Sequence, residues 1–394
     1  MSDLFYQGKE AYSTERSFAK ALLEGRLSER DQELIIEYTT ELQASKQITD
    51  GRVNKISFIL VNWRRFIQVQ YDHATISMVY DGINKLKKGN SVKGKPFKQN
   101  TLHDYIRILK PFLLWLIENE YSSLPEKKIL KISSPSVDYR TTEPDEILTV
   151  EEIEALLQGC QNSRDRALIA TLYESGARIA EIGRLRWRDV CFDDYGVRLY
   201  IDDQKNQKCR FARLTLSTQY LAIWKNDYSE VLHEDAPVFS SFKGGPMGYV
   251  TMTRSIQRAA KFAGIEKRIH PHLFRKSRIT HMIAQGYQES VIKQSMWGNV
   301  ETSMLRTYIQ LAEKDIDNEF LKRAGVKVED EGNSRQIAQT CGVCHTVCGP
   351  TFRFCPKCGT GLSEDVLMEQ QLAQAQIEKH HYFQKGMKAA EDAI

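Results

Sequence analysis

The chain has 394 residues, 41% of them hydrophobic and 27% charged, enough apolar material for buried cores and too much chain for one of them, so two or three domains are expected. No apolar run approaches membrane-spanning length and the N-terminus has no signal-peptide core, which predicts a cytoplasmic protein without membrane contact. The net charge of +4 is unevenly spread: the residues from Glu329 onward carry −3 and those before it +7, so the basic character lies ahead of the tail.

Helical periodicity dominates the first third. Ser28 and Asp31 form a capping pair ahead of a helix through Leu34, Ile35 and Leu42. Val53, Ile56, Leu60, Trp63 and Ile67 recur at helical spacing, as do Leu102, Ile106, Leu109, Leu113 and Leu116, and Pro111 inside the second stripe predicts a kink or a break. Between the stripes run Lys85, Lys87, Lys88, Lys93, Lys95 and Lys98, with glycines and no acid; this is either a solvated loop or one that contacts phosphates. A Ser-, Thr- and Pro-rich stretch, drawn as a linker over 135–148, separates an N-terminal helical domain (1–134) from a second domain.

Thr149-Val150-Glu151-Glu152 then has the pattern of a capping box, opening helix that continues through Leu168, Leu172, Ile179 and Ile182. Residues 197–216 alternate, with Val197, Leu199 and Ile201, then Phe211, Leu214 and Leu216, and read as two or three short strands around a polar turn. Helices resume from about Met252 to Ala324, closing the second domain at 149–325. A loose junction leads to a cysteine-rich module (335–362) and a polar helix and tail (363–394). The expected fold is mainly α with a small antiparallel β-sheet.

Four residues of the second domain suggest chemistry: Arg178, His272, Arg275 and Tyr308. Attack on a phosphodiester needs a positioned nucleophile, stabilised charge on the non-bridging oxygens and a proton for the leaving 5′ oxygen. Arginines suit the second task because a guanidinium binds two phosphate oxygens at once and stays charged. His272 and Arg275 share a helical face, and a late tyrosine can act as nucleophile.

These residues sit in motifs that resemble the tyrosine recombinase (phage integrase) family, of the Xer-like kind. Gly176-Ala177-Arg178-Ile179-Ala180-Glu181-Ile182 is similar to its first arginine box, His270-Pro271-His272-Leu273-Phe274-Arg275 to its His-x-x-Arg box, and Trp297-Gly298-Asn299 through Tyr308 to its last box. The turn Gln204-Lys205-Asn206-Gln207-Lys208-Cys209-Arg210 resembles the hairpin that carries the family's lysine. The resemblance implies a mixed α/β catalytic domain over 149–325 and an N-terminal core-binding domain that clamps duplex DNA. It implies that Tyr308 takes the 3′ phosphate, that Arg178 and Arg275 bind it, that His272 handles the tyrosine proton, and that Lys205, favoured over its neighbour Lys208 by its place in the motif, protonates the leaving hydroxyl. It also implies site-specific strand exchange without catalytic metal or ATP, carried out by a homotetramer on two recombination sites, and a helix over 312–324 that docks on a neighbouring subunit or packs within its own. The family usually has histidine or tryptophan where this chain has Asn299, an amide that can donate to a phosphate oxygen and cannot carry a proton. A catalytically weak or inactive DNA-binding regulator of the same fold is the alternative, and a relaxing activity of the type IB topoisomerase kind a third.

Cys341-x2-Cys344 and Cys355-x2-Cys358 form a four-thiolate pattern that predicts a structural zinc with all four positions filled. His345 and Cys348 are surplus to it. The ribbon-like module is nearly neutral once such a site is counted, so it reads equally as an accessory DNA contact or, with the last helix, as a surface for a protein partner.

Overall fold

In the computed structural model the described residues are 5, 13–91, 94–139, 143–203, 208–309, 321, 324, 339–349, 352–355 and 358–391. They fall into two compact units, one of residues Gly8–Thr141 and one of Met1–Gln7 with Thr142–Ile394. The architecture is mainly helical with a small antiparallel sheet, as the periodicity predicts.

The first unit is all α among its described residues: α1 (Thr14–Leu23), α2 (Glu29–Lys46), α3 (Asp50–Trp63), α4 (Ile76–Lys88), α5 (Gln99–Glu118) and α6 (Glu126–Leu130). Ser28 and Asp31 cap α2 reciprocally, as their spacing suggests. Asp31 does more than cap: fully buried, it pairs with Arg64 Nε at 2.9 Å and accepts the Tyr71 N–H at 2.9 Å. Two expectations change. Helix α5 runs unbroken through Pro111, which lies on its exposed side, where the Arg107 carbonyl deprived of its N–H partner can turn to water. Lys85, Lys87 and Lys88 form the last turn of α4 and are not loop residues; there they meet the negative end of the helix, and Lys85 pairs with Asp81 at 2.6 Å.

The second unit is built on α8 (Ser163–Ser175), buried on all sides, with α7 (Val150–Gln158), α10 (Leu216–Asn226), α11 (Tyr249–Phe262) and α12 (Pro271–Ala284) packed around it. Thr149 and Glu152 make the expected capping box of α7. Helix does not continue to Ile182: it stops at Gly176, whose φ of +57° ends α8, and restarts as α9 (Ile179–Gly183). Strands β1 (Val190–Asp193), β2 (Gly196–Asp203) and β3 (Lys208–Leu214) form the sheet in that order. The register pairs Leu199 with Ala212 and Ile201 with Arg210, so Ala212, Leu214 and Arg210 face inward and Phe211 outward, 54% exposed. Phe211 therefore belongs to the opposite face from the one its hydrophobicity suggests.

Glu174, near the end of α8, accepts the backbone N–H groups of Thr215 (2.6 Å), Leu216 (3.0 Å) and Ser217 (2.7 Å), satisfying the first turn of α10 from outside that helix. Helices α13 (Glu289–Trp297) and α14 (Arg306–Ile309) follow α12. The cysteine-rich module carries β4 (Gln339–Thr340) paired with β5 (Val347–Cys348), and helix Glu364–Glu391 ends the described chain. No described helix is long and apolar enough to cross a membrane.

Candidate active site

Breaks in helix bring the predicted cations together. Arg178 is the N-cap of α9, just past the left-handed Gly176. Arg275 lies on α12, and its two terminal nitrogens donate to the Gly176 carbonyl and the Met296 carbonyl, each at 2.7 Å. Glycine suits this position because its φ is positive, and a Cβ there would also push on the end of the Met296 side chain, whose Sδ lies 2.6 Å away. Gly298, with φ of +64°, ends α13 in the same way and turns the chain toward Tyr308 on α14.

Tyr308 is buried and packs with Ile279, Met282, Ile292, Met296 and Leu305. Burial raises the phenol's pKa, and the neighbouring cations Arg275 and Arg178 oppose that rise. The Trp297 ring lies 5.1 Å from the Arg275 guanidinium carbon and 6.0 Å from the Tyr308 ring. Arg275 is pulled down to about 10 by burial and by Arg210 and Arg178, and remains a cation at neutral pH. His272 is held at about 4, first by desolvation and then by Arg275, Lys276, His270 and Arg178. Its imidazole is neutral at pH 7, in the form that accepts a proton. Thus Arg178, His272, Arg275 and Tyr308, spread over 131 positions of sequence, form one cluster of electrostatically coupled groups.

Glu181 organises the cations. Its carboxylate pairs with Arg178 Nη1 at 2.7 Å and Arg210 Nη2 at 2.8 Å, and accepts the Arg178 N–H at 2.7 Å. The Arg178 side chain is 41% exposed, so it presents charge to an incoming anion, whereas Arg210 is buried and gives its other nitrogen to the Ser295 carbonyl at 2.7 Å. Arg210, which closes the hairpin motif, has no role in the sequence reading, yet it shares Glu181 with Arg178; the available signal was a charged residue at an inward position of an alternating strand. Asn299 uses its side-chain oxygen on the Glu301 N–H at 3.0 Å, which turns the loop and leaves its NH2 group to donate. Lys205 lies outside the described residues, as do the side chain of Lys208 and nearly all of the segment 312–324. His281, on α12, hydrogen-bonds Tyr173 at 2.8 Å and supports the helix from the side.

Cys341, Cys344, Cys355 and Cys358 converge with all four sulfurs within 4.8 Å of one another, and Cys341–Cys358 and Cys344–Cys355 are each 3.5 Å apart. A tetrahedral zinc with bonds of about 2.3 Å has sulfur–sulfur edges of about 3.8 Å, so this donor set fits one ion with no position left for water.

Residues 146–315 match the model of the phage integrase family. The chain is 28% identical over 232 residues to transposase A from transposon Tn554 of Staphylococcus aureus, covering 55% of this chain and 60% of the relative. It is 29% identical over 186 residues to the tyrosine recombinase XerD of Chlorobaculum tepidum, covering 45% of this chain and 59% of the relative. The chain thus spans about 60% of the length of these curated relatives. Among solved structures, the XerH site-specific recombinase bound to a palindromic difH substrate in a post-cleavage complex superposes with a TM-score of 0.55 at 16% identity, over 82% of this chain and 90% of that one, and so shares its fold.

Proposed function

Because the chain belongs to the phage integrase family of tyrosine recombinases, we propose that it cuts and rejoins duplex DNA at specific sites through a 3′-phosphotyrosine. The observation that carries this reading is the junction of Tyr308, Arg275, Arg178 and neutral His272 in one cationic cluster. In the proposed reaction the Tyr308 oxygen attacks the scissile phosphorus and forms the P–O bond to the protein as the bond to the 5′ oxygen breaks. Arg178 and Arg275 hold the non-bridging oxygens, whose charge grows in the transition state. His272 takes the phenol proton, Lys205 delivers one to the 5′ oxygen, and the Asn299 NH2 donates to the phosphate. The ester conserves the bond energy, so rejoining is the reverse step and needs neither ATP nor a catalytic metal.

Exchange between two duplexes requires four strand breaks, one per tyrosine, so the working unit is a homotetramer on two recombination sites. The helical unit supplies further contacts to the duplex, and the four cysteines hold a structural zinc. The setting is the cytoplasm.

A duplex with a nick close to the cut site traps the intermediate by releasing the short 5′ strand. The wild type forms a covalent protein–DNA adduct and Tyr308→Phe forms none; an adduct that persists in the variant overturns the assignment. The second reading, a regulator that binds DNA without cutting it, is favoured by Asn299, and tight binding with no adduct from any duplex would establish it.

A further inference from the structure

We infer that Trp297 is a positioning residue that holds Arg275 and Tyr308 in register for attack, an inference that rests on the recombinase reading. The two groups come from different elements, α12 and α14, which α13 and the loop at 298–305 separate in the chain. The Trp297 ring touches both: it lies 5.1 Å from the Arg275 guanidinium carbon and 6.0 Å from the Tyr308 ring at an angle of 55°. The residue before it supplies the carbonyl that fixes Arg275 Nη2, so ring and backbone clasp one guanidinium from a single stretch of chain. Asn299, by contrast, spends its oxygen on the neighbouring Glu301 N–H. An aromatic face attracts a guanidinium and also restricts its rotation.

The test is single-turnover cleavage of the nicked duplex beside a binding measurement. Trp297→Ala lowers the cleavage rate about 100-fold, the scale of a misplacement near 1 Å, with DNA affinity changed less than about threefold. Trp297→Phe, which keeps an aromatic face, recovers the rate to within about fivefold. Trp297→Leu keeps apolar bulk without that face and repeats the loss should the alanine variant fail to fold. A wild-type rate in Trp297→Leu, a phenylalanine variant as slow as the leucine one, or affinity falling as far as rate overturns the inference while leaving the recombinase reading intact. A wild type that forms no adduct overturns both.

A separate set of contacts concerns the cysteine module. The geometry points to its being a strut of the catalytic unit, fastened to α10. Cys348, surplus to the four-thiolate set, is fully buried and packs with Cys341 and Cys355. The Gly349 N–H reaches Gln219 Oε1 at 3.5 Å, and the Phe352 ring sits 5.5 Å from that of Tyr220. A Cβ on Gly349 would come within 3.4 Å of the Leu216 carbonyl. The other end of this path is Glu174, which holds the start of α10 two residues before Gly176, the residue that anchors Arg275. Hydrogen exchange of the full chain loaded with zinc reads the coupling. Stripping the zinc with a chelator speeds exchange of the α10 amides about tenfold or more, and leaves α5 unchanged. Phe352→Ala retains one zinc and shows the same loosening of α10. Unchanged α10 protection after zinc removal, or in Phe352→Ala, overturns the strut.

Discussion

Glu181→Gln removes one charge from between two arginines and keeps the shape. The two ion pairs do not weigh equally. Arg210 and Glu181 have side chains 2% and 6% exposed, and breaking a buried pair leaves an uncompensated charge at a cost of about 3–5 kcal/mol. The Arg178 side chain is 41% exposed, so solvent screens that pair to about 0–1 kcal/mol. Glutamine keeps one acceptor oxygen, which retains part of the hydrogen bonding, and the net loss falls near the lower figure, about 3 kcal/mol. In a unit of this size each kcal/mol moves the melting midpoint by about 2–4 °C, so the transition of the catalytic unit drops by about 6–12 °C. Arg178→Ala, measured beside it by calorimetry, costs less than about 1 kcal/mol, yet it abolishes adduct formation under the proposed function. A Glu181→Gln midpoint within about 2 °C of wild type, or an Arg178→Ala loss as large as that of Glu181→Gln, would refute the reasoning.

Glu174→Ala strips three backbone N–H groups of α10 of their acceptor, and at about 1–3 kcal/mol for each buried donor left unsatisfied the loss is about 3 kcal/mol or more, read as a lower denaturant midpoint at unchanged slope. His281 is held at about 4 against 6.5, by burial first and Arg278 second. The unfolded chain therefore binds more protons than the folded one between these values, so the contribution is complete above about pH 6.5 and is lost as pH falls toward 4. His281→Gln flattens that stretch of the melting-temperature profile; an unaltered slope would show that other groups cause it.

Local signals carried the fold where one interaction decides the outcome. The boxes at Ser28–Asp31 and Thr149–Glu152 are satisfied by residues three apart, so sequence alone specifies them. Pro111 does not break α5, because the carbonyl it leaves without an N–H partner lies on the exposed side of the helix, and exposure is not local information. The same reason hid Arg210: whether Phe211 or its neighbour points inward depends on the pairing with β2, which a one-residue slip would reverse. Lys85, Lys87 and Lys88 looked like loop because charge density says nothing about the helix that carries it.

The order and chemical types of Arg178, His272, Arg275 and Tyr308, and the spacing of the four cysteines, belong to the sequence by itself, because each box is short and its chemistry is written in its residue types. Tertiary structure decided what surrounds them. Only the fold sets Glu181 between two arginines, turns the Gly176 carbonyl toward Arg275, lays Trp297 against both Arg275 and Tyr308, and seats the cysteine module on α10. Apart from the local pairs Arg178–Glu181 and Trp297–Tyr308, these contacts join residues from about 20 to 130 positions apart, and over such separations side-chain identity fixes what a contact can do, while the path of the backbone fixes whether it forms.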